Sequence, residues 1–200
     1  MYDYRKMTPE LQLEAVEYRR LHERPLHSPP HMEFQGLRQF FITGTCYEHK
    51  HHVGLTHERM TNFEADLLTA CQKFAASTYA WCILPNHYHV LVRTDDIDAL
   101  RHELGLLHGR TAYNWNGEEE LRGRKVWFNC VDRAMKSHRH FWATVNYIHN
   151  NPVKHGYVDN WQDWLWSSAA QFLERVGHER ALQIWREFPV LDYGQKWDFD

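Results

Sequence analysis

No run of 18 or more apolar residues occurs in the 200-residue chain, and its mean hydropathy is −0.68, so a membrane-spanning helix is not expected. The segment Met1 to Lys6 lacks the apolar core of a signal peptide. Cysteine is sparse. Cys46, Cys71, Cys82 and Cys130 form no C-x-x-C pair, which argues against a zinc knuckle and predicts reduced, mostly buried thiols in a cytoplasmic protein. Internal repeats and low-complexity tracts are absent, and the length suits one domain with short additions. Charge of one sign is lacking too: the formal net charge is −3, which does not mark the whole molecule as a nucleic-acid binder.

The distribution of charge says more than its sum. Between Leu121 and His155 stand Arg122, Arg124, Lys125, Arg133, Lys136, Arg139 and Lys154 against the single acid Asp132. That segment carries +6 and leaves −9 for the remainder. A local polyanion-binding surface and an ordinary solvated basic face both fit this asymmetry.

Thr8-Pro9-Glu10 predicts a helix start, with the helix reaching about His22 before Pro25, Pro29 and Pro30 break it. Gln39 to Tyr47, rich in β-branched and aromatic residues, predicts a strand, and His49 to Thr56 a polar loop. Thr61-x-x-Glu64 has the form of a capping box, followed at helical spacing by Phe63, Leu67, Ala70, Cys71 and Phe74. Two strands, Tyr79 to Leu84 and His87 to Arg93, meet at Pro85-Asn86. Asp95-Asp96 caps a helix that Asn116-Gly117 ends, Lys125 to Val131 predicts a strand, and Ser137 opens another helix. Shorter helices are expected over Ser168 to Val176 and Glu179 to Glu187. The order β-α-β-β-α-β predicts an α+β fold: a ferredoxin-like split βαβ antiparallel sheet with helices packed on one face, plus helical extensions at both ends. The expected division is an N-terminal extension over 1–35, a catalytic domain over 36–160 and a C-terminal helical tail over 161–200.

Two short stretches carry the chemistry. In His87-Tyr88-His89 the period of a strand sends both imidazoles to one face and Tyr88 to the other. Such a pair is half of a divalent-metal site, or else two hydrogen-bonded histidines in a histidine-rich chain. Sixty residues on, Phe141, Val145 and Ile148 form the core stripe of a helix, and His140, Thr144, Tyr147 and Asn151 a polar stripe beside it, facing something other than the core. A third histidine at the next alternate strand position would suggest a nucleotide hydrolase of the histidine-triad kind, but that position is Leu91.

Together the two stretches resemble the single-tyrosine HUH transposases, nearest the REP-associated tyrosine transposases. The matching residues are Leu84-Pro85-Asn86-His87-Tyr88-His89-Val90-Leu91-Val92, then Tyr147-Ile148-His149-Asn150-Asn151-Pro152-Val153-Lys154, then Trp164-Leu165-Trp166-Ser167-Ser168. The resemblance covers about 36 to 170. It implies metal-dependent cleavage and rejoining of single-stranded DNA next to hairpin ends through a 5′-phosphotyrosine. Carried over by motif, His87 and His89 are metal ligands, Tyr147 is the nucleophile and Asn151 a third ligand, although Pro152 disfavours helical geometry at Asn151. The implied cofactor is Mg²⁺ or Mn²⁺ and the implied partner single-stranded or hairpin DNA, with no membrane and with monomer and homodimer both open.

The chemistry needs these groups. A phenol of ordinary pKa near 10 is only about 0.1% ionised at neutral pH, and a phosphodiester resists attack until its oxygens are neutralised. A covalent phosphotyrosine keeps the bond energy for rejoining. Arg122, Arg124, Lys125, Arg133, Lys136 and Arg139 are the expected phosphate contacts, with Trp115 and Trp127 placed either to stack bases or in the core. The protein is expected in the cytoplasm, at the nucleoid. The alternative is a domesticated DNA-binding protein that keeps the fold and hairpin recognition without cleavage; a purely structural metal site would have no use for Tyr147.

Overall fold

A computed structural model of the chain describes residues 38–191 together with Thr8 and Tyr193. The helix expected from Thr8 to His22 lies outside the described residues. The elements are β1 (Arg38–Cys46), α1 (His57–Phe74), β2 (Ser77–Ile83), β3 (His87–Thr94), α2 (Ile97–Glu118), β4 (Trp127–Ala134), α3 (His138–Lys154), α4 (Ala169–Val176) and α5 (His178–Glu187). The four strands form one antiparallel sheet in the order β2-β3-β1-β4, the α+β split βαβ arrangement expected from the element order.

The two helices of the split repeat, α1 and α2, cover one face. Phe40, Ile42, Tyr88, Val90 and Val92 meet Phe63, Leu67, Leu100, Leu104 and Leu107 there. The other face is not left bare, as a one-sided arrangement would leave it. Phe41, Ala80, Cys82 and Leu91 pack against Val145, Tyr147 and Ile148 of α3 and against Phe172, Ala181 and Ile184 of α4 and α5. Residues beyond Trp161, expected as a tail, thus supply core. The physical reason is the inner strand pair: β3 is buried on both faces, and covering only one side would leave Leu91 in water.

Local differences have local causes. Helix α1 starts five residues before the expected capping box. Thr56, in extended backbone, accepts from the Arg59 N–H at 3.1 Å, while Thr61 lies inside the helix with its hydroxyl on the His57 carbonyl at 3.0 Å. Glu64, the other half of that box, accepts from Trp81 Nε1 at 2.8 Å. Phe74, expected on the core stripe, is exposed. Helix α2 begins at the cap Asp96 and runs through Asn116-Gly117 to Glu118. Helix α3 begins at the expected cap Ser137 and carries through Asn151 and Pro152. Near its C-terminus the proline's missing N–H forfeits a single helical bond. Gly156 (φ +70°) then reverses the chain, with the Tyr157 N–H on the Pro152 carbonyl at 2.9 Å.

The sheet's two edges are treated differently. Ile83 donates to the Trp166 carbonyl at 2.8 Å and Ser168 to the Trp81 carbonyl at 3.0 Å, so the Trp164-to-Ser168 stretch seals β2. Strand β4 forms the opposite edge.

Candidate active site

Antiparallel pairing gathers the site around the middle of the sheet. Thr45 lies opposite His87 and Thr43 opposite His89, all on the α3 face. The two imidazoles stand 4.8 Å apart between ring centroids and are both buried. Each is held by its Nδ1: Asn86 Oδ1 lies 2.7 Å from that atom of His87, and Thr43 Oγ1 2.9 Å from that of His89. This is how metal-binding imidazoles are oriented, one nitrogen fixed by a hydrogen bond and the other given to the ion.

Helix α3 brings the second half. Asn151 Oδ1 sits 3.1 Å from His87 Nε2, and the ring of Tyr147 is centred 5.3 Å from that of His89. The stripe expected to face away from the core is in fact enclosed. Thr144, Tyr147 and Asn151 are each no more than 1% exposed, because α3 lies with this side against β3 and β1. Tyr147 also meets Phe41 edge-on at 5.9 Å and Tyr193 at 5.5 Å, and Lys154 Nζ is 5.4 Å from its ring centroid.

The donor set fits a divalent ion. A neutral imidazole has one N–H; when His87 donates it from Nδ1 to Asn86, a lone pair on Nε2 faces the Asn151 carbonyl oxygen. In that tautomer two lone pairs meet across 3.1 Å, an arrangement a cation between them would satisfy. Ligands about 2.1 Å from an ion at right angles would themselves be roughly 3.0 Å apart. Asn151 Nδ2 is buried with no hydrogen-bond partner among the described residues, consistent with an amide whose oxygen is the working end. Turning the amide by half a rotation gives a neutral N–H···N bond instead, so the pocket holds together with or without the ion. Among the described residues no three His, Cys, Asp or Glu side chains gather at metal-binding spacing, so the set is two imidazoles and an amide. His155 stands beside it edge-to-face, its ring centred 5.2 Å from that of His87. The signal was present, since Tyr147, Asn151 and His155 are spaced i, i+4, i+8. Thr43 had no such signal. His149, inside the same motif, turns elsewhere, with Nε2 2.9 Å from Ser168 Oγ, and burial pushes its pKa down to about 3.

The expected phosphate contacts divide. Arg124 makes a two-pronged pair with Glu119 at 2.8 and 3.0 Å and reaches Asn116 Oδ1 with Nε at 2.9 Å. That hydrogen bonding holds the Glu119 carboxyl down to about 2. Arg122 donates to the Tyr113 carbonyl at 2.6 Å and lies 4.3 Å over its ring. Both close the turn after α2. Lys125, Arg133, Lys136 and Arg139 remain on the exposed surface. Partial burial lowers the Arg133 pKa, opposed by the phenols of Tyr193 and Tyr147 beside it. Trp115 is buried, and Trp127 stacks on His108 at 4.1 Å and donates to Thr111, which places both in the core.

No protein-family model matches the chain. A Haemophilus influenzae protein named for the REP-associated tyrosine transposases is 26% identical over 126 residues, which span 54% of this chain and 68% of that one. A solved REP-associated tyrosine transposase, bound to a REP hairpin, superposes with a TM-score of 0.55 at 20% identity over 71% of this chain and 82% of its own. The resemblance read from the two motifs is therefore found again over most of the relative's length, and the fold is shared.

Proposed function

We propose that this chain, similar in sequence and fold to the REP-associated tyrosine transposases, cleaves and rejoins single-stranded DNA beside a hairpin end through a 5′-phosphotyrosine. One observation carries the reading: the HxH strand and the tyrosine helix meet within one chain, with Asn151 at 3.1 Å from His87 and Tyr147 against His89. A composite of metal-type donors and a phenol has a use in strand transfer that it would not have in a structural metal site.

In this reading Tyr147 Oη attacks the scissile phosphorus. The P–O3′ bond breaks, the 3′-oxygen leaves as a hydroxyl, and the 5′-phosphate stays on the tyrosine. The same 3′-hydroxyl, or another, reverses the step and restores the phosphodiester. Asn86 and Thr43 hold the two imidazoles in the Nδ1-bonded orientation. Lys154 and Arg133 place positive charge at the phenol, where the phosphate must arrive. A Mg²⁺ or Mn²⁺ held by His87, His89 and Asn151 supplies Lewis-acid neutralisation of the phosphate.

The test is an SDS gel. A labelled oligonucleotide carrying a hairpin and its single-stranded flank should become protein-linked with Mg²⁺ or Mn²⁺ and stay free in EDTA. Tyr147→Phe and His87→Ala should form no adduct. An adduct surviving in Tyr147→Phe would move the nucleophile to Tyr193, whose ring is 5.5 Å from Tyr147, rather than to Tyr157, which packs on Trp164. A second reading, DNA binding without cleavage, draws on the enclosure of Tyr147, 1% exposed beneath Tyr193. Hairpin binding with no adduct under either metal would establish it.

A further inference from the structure

We propose that the outer part of the α3 face, a strip on β1 and β4 that the helices leave uncovered, is the track along which single-stranded DNA reaches Tyr147. The proposal rests on the strand-transfer reading and names the path that reading leaves open.

Strand pairing lays out the strip in three rows. Asn129 lies across from Thr45 and thus in line with His87; Val131 with Thr43 and His89; Arg133 with Phe41 and Leu91. Side chains in one cross-strand row share a face, so these β4 residues continue the metal-site face outward. Helices α3 to α5 cover the β2 and β3 end of each row. At the other end Thr43 and Thr45 are half-buried, while Asn129, Val131 and Arg133 are exposed, Val131 to 44%.

The charge that β4 brings to the strip has one sign, and Glu48 beside Tyr47 is paired with Lys50 at 2.8 Å. Asp132 is the one acid between Leu121 and His155, and it turns to the opposite face, where Arg101 Nε meets it at 3.3 Å. Arg133 and Lys136 lie at the Tyr147 end, close enough for both to depress the His140 pKa, although burial does so most. At the far end Phe128 is 48% exposed and 6.3 Å from the ring of Tyr47, with Lys125 Nζ 5.1 Å above Phe128 and 4.6 Å above Tyr47. An aromatic pair, Phe128 exposed and Tyr47 half-buried, under an ammonium group, then a polar and apolar strip, then cations at the nucleophile, matches unpaired bases with their phosphates rather than the grooves of a duplex.

Binding by fluorescence anisotropy tests this with hairpin oligonucleotides that lack or carry a single-stranded extension on either side. All proteins carry Tyr147→Phe, so that binding is read without cleavage. An extension should tighten binding about tenfold, and Phe128→Ala should lose that gain while binding the bare hairpin unchanged. Adding Lys125→Ala and Arg133→Ala should flatten the salt dependence for the extended oligonucleotide by about 0.7 in slope per cation. The track is overturned if the extension adds no affinity or if Phe128→Ala retains the gain. It is also overturned if sedimentation shows a dimer that Phe128→Ala disrupts, since β4 would then be an edge joining two copies. Absence of adduct in the gel above, with Phe128-dependent extension binding intact, would sink strand transfer and leave the track standing. Adduct formation indifferent to Phe128 would do the reverse.

Discussion

The two faces of the sheet each enclose a tyrosine, and they surround it with different groups. Tyr88, between the two histidines, points into the α1 and α2 face, where its hydroxyl meets His108 Nε2 at 3.1 Å and Cys130 Sγ at 3.9 Å. Its ring lies over Gly44, and burial raises its pKa well above the ordinary value. Tyr147 is as deeply buried on the other face, but its neighbours are His89, Lys154 and Tyr193. Burial alone therefore does not distinguish the two tyrosines; the company of metal-type donors and cations does, and it is what supports the proposed role of Tyr147. In the proposed strand transfer one face is dry and fixed and the other meets a phosphate.

Substitutions should break this symmetry. The largest effect is expected from Tyr147→Phe: phosphotyrosine adduct falls at least about a thousandfold, more than about 4 kcal/mol in the barrier. Urea unfolding of the same variant should stay within about 1 kcal/mol of wild type, because a single hydroxyl is removed. Gly44→Ala reverses the pattern. Its added Cβ would lie 2.6 Å from Tyr88 Cζ and 2.8 Å from Tyr88 Oη, on a ring with no room to move. A loss of about 3 kcal/mol in unfolding free energy is expected.

Acid should act through the dry face next. Burial pushes the His108 pKa down to about 4, below its unfolded value near 6.5, so the unfolded chain takes up a proton that the folded one refuses. This contribution to stability is whole above pH 6.5 and is lost as pH falls toward 4, by about 2 kcal/mol at pH 5. Urea melts of wild type and His108→Gln at pH 7 and pH 5 check it: the pH-dependent loss should shrink in the variant. The smallest effect is Tyr88→Phe, about 1 kcal/mol of stability from the lost bond to His108, with adduct formation unchanged. A fall in adduct with Tyr88→Phe would erase the distinction between the faces.

Much of this was legible residue by residue. The alternation of His87, Tyr88 and His89 predicted the sharing of one face by the two imidazoles, and helical spacing joined Tyr147 to Asn151. The same reading set that stripe beside the core, facing something else, without saying what it faces. Here they face Thr43, His87 and His89, which are polar themselves. Arg122 and Arg124 looked as available as Lys125, and nothing local distinguishes them. They are engaged because the end of α2 brings the Tyr113 carbonyl and Glu119 within reach. Thr61 read as the helix cap and Thr56 as the end of a polar loop, but the extended backbone at Thr56 makes that residue the cap instead.

By itself the amino-acid sequence determined the period-2 and period-3.6 placements: which side chains share a strand face, which share a helix stripe, and the β-α-β-β-α-β order that only a few sheet topologies satisfy. Those are short-range consequences of backbone geometry, so they survive without the rest of the molecule. Tertiary structure alone decided the meeting of Thr43 with His89 Nδ1 and of Asn151 with His87 Nε2, the enclosure of Tyr147, and the covering of the sheet's second face by α3, α4 and α5. Each depends on contacts between residues dozens of positions apart, where packing and desolvation act and local periodicity carries no information.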